Sequence, residues 1–599
     1  MRYRASVALL AAFLVPTTIG MVAAPRIVTG SCAVGPDETY LDPPLQYPFL
    51  SDQYSVAYRI GSGPWTSAST YISYYGATDA SPYASYSGYP AYGGPVAPYE
   101  SLSFVSIPAR PSAAVQLRVT KLAGPFLPTD HVTVRPRVKA LSVSVAAAGT
   151  AEILSLTGPG FAGDQFALWW GPSADGSEIS GLVFFLNPPS AAPTTGNVKV
   201  VTQPSDLEQA ALVGFDTLSF NQSISIGSDG AHALNVPPNI TTIYLGPNAW
   251  VQGKFHFTQS GGQVRRVYGP GVLDVSRFNY ALRVCGPGSG FADQGDNAIS
   301  WELATDGATP DTFVLDGFVI TDHNHAATDL LVNSRVNNLK TISWNGVNGG
   351  LRLGNGTSVS NVFIHSADDS LMLWGSGVSV TNATVWQGYN GGVVNLGWFD
   401  DSTGDQDAID GLFVVKTDWP TPAPASWTTT TLDNQNNAVF ASLQSPGAHY
   451  GQEPSLLRNI FIDEAPQVLF SLKIIEPDCN LVGLFGSCSH LVDMRLSSLL
   501  NLNIQNLVTP PSLAPNSIGF QTLPTGFTYE FPEGNFIMVP TDTPLTGTMS
   551  IGLTNVAFVL PGGALRPLTA ANAGPGMLGQ ISTMGAVSIS YGLRLGEVH

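Results

Sequence analysis

The chain has 599 residues, 44% of them hydrophobic and only 11% charged, with 63 Gly and 45 Pro. Its formal net charge is −18, so it lacks the basic footprint of a nucleic-acid binder and repels polyanionic substrates. Lys, Glu and Arg are too scarce for a helical protein, whereas Gly, Pro, Asn and Ser suit turns between short strands, so an all-β fold is expected.

At the N-terminus, Arg2 and Arg4 precede the apolar run ASVALLAAFLV, the pattern of a secretory signal. Residues 1–31 are therefore read as a signal peptide or, if uncleaved, an N-terminal anchor. No other apolar run is long enough to span a membrane. The expected location is secreted, or on a cell or particle surface. Residues 32–200 read as short strands broken by turns (SLSFVSIPA, HVTVRPRV, ALSVSVAA, FALWWG), the pattern of an antiparallel β-sandwich. Within it, residues 68–100 form a Tyr/Gly/Pro-rich stretch expected to be a surface loop. Trp169 and Trp170 are assigned to the sandwich core or a domain interface.

Residues 201–599 are periodic. Ile320, Ile342, Ile364 and Val385 recur at spacings of 22, 22 and 21, and Leu351, Leu373 and Val394 at 22 and 21. Two interleaved apolar series with one period predict at least two strands per repeat, hence a solenoid. The pieces are too short and too β-branched for helical repeats, and the Leu/Asn consensus of leucine-rich repeats is absent. A right-handed parallel β-helix of the pectin-lyase-like kind remains. In such a solenoid a residue near 349 lies one coil below 369.

That stacking makes the segment from 343 to 398 the best candidate site. It holds the adjacent acids Asp368 and Asp369, the histidine His365, the amides Asn390 and Asn395, and the aromatics Trp344, Trp374, Trp386, Tyr389 and Trp398. Asp368 and Asp369 are the catalytic candidates and the other residues the substrate-binding candidates. Aromatic faces beside hydrogen-bonding groups suit sugars, and adjacent acids repel, which raises one pKa toward that of a general acid. The alternative is that the acids cap a turn or bind backbone amides. Asp400, Asp401, Asp405, Asp407 and Asp410 fit no calcium-loop spacing and read as a solvated loop. Cys479 and Cys488 flank a short loop and form a candidate disulfide. No Cys/His cluster occurs, so neither a metal nor a cofactor is expected. Sequons begin at Asn221, Asn239, Asn355 and Asn382.

The chain from about 200 onward resembles the family 49 glycoside hydrolases, the dextranases and isopullulanases. The resemblance lies in NVPPNITTIYLGPNAWVQGKFHF, RVYGPGVLDV, ADDSLMLWGSGVSVTNATVWQGYNGGVVNLGW and VSISYGLRL, with SFVSIPA and DHVTVRPRV similar to that family's N-terminal sandwich. It implies a β-sandwich followed by a right-handed parallel β-helix, and inverting hydrolysis of α-glucans without a metal. The family's Asn-Asp-Asp triplet falls on Ala367-Asp368-Asp369, which gives Asp368 the general-acid role and Asp369 a share of the base role. The family's upstream Asp falls on Gly349 and the Glu three residues later on Arg352. Asp322, beside His323 and His325, is a candidate replacement.

Two readings follow. One is an exported dextranase-like hydrolase of neutral α-glucan, weakened by the missing acid. The other is an inactive relative that binds glycan or assembles into a surface or particle coat. A polysaccharide lyase would need basic residues that this acidic chain lacks.

Overall fold

The computed structural model describes residues 48–75, 100–108, 114–122, 132–139, 142–148, 151–157, 164–170, 180–226, 233–275, 297–301, 309–323, 326–344, 349–388, 391–399, 406–418, 438–444, 454–464, 466, 470–474, 498–509, 548–559, 565–567 and 587–592. The signal segment 1–31, Cys479 and Cys488 lie outside them.

The first part is a β-sandwich of two five-stranded sheets. Alternating apolar residues of both sheets, among them Val56, Leu117, Val119, Phe166, Leu182 and Phe184, fill the space between them. Two expectations need correction. The strands Glu100–Pro108 and Ser180–Asn187 run parallel, so the sandwich is mixed rather than purely antiparallel. The stretch 68–100 is also not loop at its start. Thr70–Tyr75 is a strand paired antiparallel with Glu100–Pro108, and its residues Thr70, Tyr71, Ile72 and Ser73 are all buried; residues 76–99 lie outside the described set.

From Val198 onward the chain winds as a right-handed parallel β-helix, with one ladder of 19 strands and further ladders of three and five. Each coil in the middle of the solenoid has three faces. In one coil these are residues 358–360, residues 362–366 and the strand Leu371–Leu373. The corner between the first two is Asn361 at φ 54°, a left-handed conformation that Asn tolerates better than most residues. Asn338, Asn382, Asn459 and Asn506 repeat it at φ 50°, 52°, 57° and 56°. Their amides stack along the axis: Asn382 Nδ2 donates to Asn361 Oδ1 at 2.8 Å, and Asn506 Nδ2 to Asn459 Oδ1 at 3.0 Å. The sequon residue Asn382 is thus a rung of an amide ladder. Inside the coils, Val, Ile and Leu from all three faces form a continuous core.

The register corrects the apolar series in detail. Ile320 pairs with Thr341, Thr341 with Ile364 and Ile364 with Val385, so the inward column holds Thr341 in place of Ile342. Likewise Leu351 pairs with Leu371 and Leu371 with Val394, while Leu373 stacks on Leu353. The placement of 369 one coil above 349 holds, because Arg352 faces Met372 in the same ladder.

The sandwich lies against the second face. Ile342, Phe363 and Trp386 point outward there, yet they are buried with Leu102, Phe104, Val183 and Phe185 of the sandwich. Arg135 of the sandwich donates to the Val415 carbonyl at 2.7 Å, and Lys139 bonds Asn382 and Asp164, each at 2.8 Å. These bonds satisfy part of the polar groups that burial at the seam would otherwise strand.

Candidate active site

Asp368 and Asp369 occupy the turn between the second and third faces. A polar net beneath fixes this turn. Ser366 Oγ donates to the Asp368 carbonyl at 2.9 Å and lies 2.8 Å from Ser370 Oγ. Ser370 Oγ donates to Gln387 Oε1 at 2.7 Å, and Gln387 Nε2 donates to the Asp368 carbonyl at 3.0 Å. Gly391, at φ 74°, packs over the turn so closely that an added Cβ would lie 2.3 Å from the Asp369 amide nitrogen. Only glycine fits both demands there.

The two acids have different surroundings. Asp369 is 6% exposed. Its Oδ1 accepts from the Gly392 amide and its Oδ2 from Asn395 Nδ2, both at 2.6 Å. Asp368 is half-buried, and its Oδ1 accepts from the Asp369 amide at 2.8 Å. Burial pushes both carboxyls up, and the charge of Asp369 pushes Asp368 further, well above the usual carboxylate range. Arg352, one coil below, opposes both shifts. The pair therefore has one member suited to hold a proton near neutrality and one held by donors that favour its anion.

Trp374 and Asn395 share this side of the solenoid. Trp374 is half-buried, its ring lies 5.3 Å from the Arg352 guanidinium, and its Nε1 donates to Asn395 Oδ1 at 3.4 Å. Asn395 is itself fully buried, so it supports Asp369 and Trp374 rather than meeting a sugar, which corrects its assignment to substrate binding; the half-buried Trp374 ring beside the carboxyl pair is the surface able to meet a pyranose. Trp398 sits on the neighbouring strand Val394–Phe399, opposite Leu443. Tyr389, Asn390 and His325 lie outside the described residues.

Trp344, His365 and Trp386 are elsewhere, which corrects their assignment to substrate binding. They lie in the seam under the sandwich, 4%, 0% and 0% exposed. Trp344 Nε1 donates to Ser73 Oγ of the sandwich at 2.9 Å, and Trp386 packs 4.9 Å from Trp169. His365 lies between them, 4.2 Å from the Trp344 ring and 5.3 Å from that of Trp386. Burial lowers its pKa to about 4, so it is neutral at pH 7. No ring face remains for a sugar. Trp170 instead stacks on Tyr54 within the sandwich, 5.1 Å away.

Asp322 also belongs to the seam. It accepts from Ser73 Oγ at 2.8 Å, and burial with the nearby Asp274 raises its pKa well above the ordinary range. His323 Nε2 lies 2.8 Å from the Gly349 carbonyl, a structural bond. Asp322 therefore does not replace a missing acid on the face of Asp368. At Gly349 an added Cβ would point at the Met372 side chain, 2.7 Å from Cε and 3.3 Å from the Asp369 carbonyl oxygen. Asp407 is buried and accepts from the Val378 amide at 2.9 Å, so it is a structural residue rather than part of a solvated loop; Asp410 pairs with Arg458 at 2.7 Å. Asp400, Asp401 and Asp405 lie outside the described residues.

The structure also brings in a carboxyl that the sequence reading missed. Asp329 is half-buried, accepts from the Trp301 amide at 2.8 Å and from Asn297 Nδ2, and is raised to about 6 by burial. Its only sequence signal was an acid in an otherwise apolar run, ATDLLV. Among the described residues no group of three or more His, Cys, Asp or Glu could hold a metal ion.

The chain is 27% identical to a dextranase of Arthrobacter globiformis over 206 residues, 33% of this chain and 32% of that protein. It is 26% identical to an isopullulanase of Aspergillus niger over 241 residues, 38% of this chain and 42% of that protein. The solved structure of Dex49A from Penicillium minioluteum superposes with a TM-score of 0.61 at 17% identity, covering 91% of this chain and 94% of that one. The chain is similar in sequence to these dextranases and this isopullulanase, and its fold is that of Dex49A. Its sequence matches span about a third to under half of the length of the curated relatives. No family model matches it.

Proposed function

We propose that the protein is an exported hydrolase of a neutral α-glucan, cutting with inversion at the face of Asp368 and Asp369. The observation that carries this reading is the asymmetric pair beside Trp374: a half-buried Asp368 with a strongly raised pKa, and an Asp369 clamped by Gly392 and Asn395. Asp368 donates its proton to the glycosidic oxygen as the bond to the anomeric carbon breaks. A water attacks that carbon from the opposite side, and its proton passes to the Asp369 carboxylate. The net charge of −18 suits an uncharged polymer.

Reducing ends released from dextran and pullulan test the proposal. Turnover by the wild type, lost by at least about 100-fold in Asp368→Asn, is the expected result. A second reading is favoured by Gly349 and Arg352, which leave Asp369 as the sole base on the turn. In that reading the chain binds glycan, or forms part of a surface coat, without cutting. Binding of dextran with no reducing ends released, in wild type and variant alike, would establish it over the first.

A further inference from the structure

A β-bulge stands beside the acid turn. In the ladder between Val394–Phe399 and Phe440–Gln444, Asn395 faces Ala441 and Trp398 faces Leu443, so the first strand carries one more residue than its partner over this span. A bulge disrupts the ladder locally and re-aims a side chain. Gly397, at φ 144°, makes the bend, a conformation that side chains rarely adopt. Its N–H donates to Asn395 Oδ1 at 2.9 Å, and Trp374 Nε1 faces the same oxygen at 3.4 Å. Neither group can accept, so the Asn395 amide has one orientation: turned over, its NH2 would meet two N–H groups. Nδ2 therefore faces Asp369 and donates to its Oδ2 at 2.6 Å, while the Gly392 amide donates to Oδ1 at 2.6 Å.

Adjacent carboxyls resist ionising together, so something must decide which of them keeps a proton. Both oxygens of Asp369 face groups that only donate, and a proton on either would meet an N–H. Among the described residues Asp368 accepts one bond on its carboxyl, from the Asp369 amide at 2.8 Å, so its other oxygen can carry a proton. We infer that Asn395 is a positioning residue, locked by Gly397 across the bulge, that holds Asp369 as the anion and so leaves the proton of the pair on Asp368. Asn395 is fully buried, so it acts through Asp369 and not by touching sugar. Among the described residues, the charged groups acting on Asp369 are Asp368 on the same turn and Arg352 one coil below; Gly392 and Asn395 are neutral and act only by donating. The inference rests on the hydrolase reading for its benefit to catalysis, but the place of the proton is read without turnover.

The test follows carboxyl titration by NMR in full-length protein labelled with 13C at aspartate Cγ, the Asp368 and Asp369 signals being assigned with Asp368→Asn and Asp369→Asn. In Asn395→Leu, close to the wild type in volume, the Asp369 midpoint rises by about one to two pH units, the worth of one hydrogen bond to a charged group. Asp368 then begins to ionise at lower pH, because its neighbour stays neutral for longer. An unchanged Asp369 midpoint in the folded variant would overturn the inference. Neutron diffraction from wild-type crystals at pH 7 tests it without a substitution. It should show the Asn395 ND2 group directed at Asp369, no deuteron on Asp369 and one on Asp368. A deuteron on Asp369 directed at Asn395 Oδ1 would overturn it. With dextran as substrate, Asn395→Leu should lower kcat and leave KM nearly unchanged; a raised KM with kcat unchanged would return Asn395 to the binding surface. A wild type that releases no reducing ends, with the titration shifts present, counts against the hydrolase and not against Asn395.

Discussion

The seam and the acid face are built from similar residues and have opposite fates. Trp344, His365 and Trp386 mix aromatics with a titratable group, as Trp374, Asp369 and Asn395 do. Both sets point outward from the same few coils. They differ in which face of the coil they leave. The second face meets the sandwich, which covers every ring there, while Asp368 and the Trp374 ring keep partial exposure above a buried Asp369, Met372 and Asn395. Aromatic and polar residues in a solenoid thus become a site only where nothing else packs on that face. Each region also holds a carboxyl raised by burial, Asp322 in the seam and Asp368 on the open face.

Substitutions can break this comparison. Trp386→Ala should cost about 3–5 kcal/mol of stability in denaturant unfolding, because the ring is fully enclosed against Trp169 and His365. Glucan affinity of the folded variant should not change. An affinity loss larger than the stability loss would move Trp386 back to the binding surface.

The two raised carboxyls sharpen the contrast. Below about pH 4 a carboxyl is protonated in both folded and unfolded chains, so it contributes no penalty. As pH rises, the unfolded chain ionises first, and stability falls until the folded pKa is passed. Asp322→Asn and Asp368→Asn should therefore each raise stability at pH 7, with the gain vanishing near pH 4. Thermal melts across that range measure it. Only Asp368→Asn should also abolish turnover; equal loss in Asp322→Asn would merge the two regions functionally. Smallest of all, Trp374→Ala should weaken dextran binding about tenfold, near 1.4 kcal/mol, with little change in melting temperature.

The sequence made the solenoid legible because Val, Ile and Leu must recur once per coil to fill its core. It misled at single positions. Ile342 looked like the partner of Ile320 and Ile364, but Thr341 holds that inward place. Ile342 is apolar for another reason: the sandwich covers it. The acid turn was legible too, since 349 and 369 do stack. What covers each face was not, because no local pattern distinguishes an open outward tryptophan from a covered one. Asp329 was invisible for the same reason. Its place near the acid turn exists only once the segment between Ala326 and Leu331 is set beneath the strand Leu351–Leu353.

The most direct measurement is a crystal structure of Asp368→Asn with a short dextran oligosaccharide. The account predicts a sugar ring against Trp374, the glycosidic oxygen within hydrogen-bond distance of the substituted residue 368, and an undisturbed seam. Sugar bound elsewhere on the protein, or a ring stacked on Trp344 or Trp386 with the sandwich displaced, would contradict it.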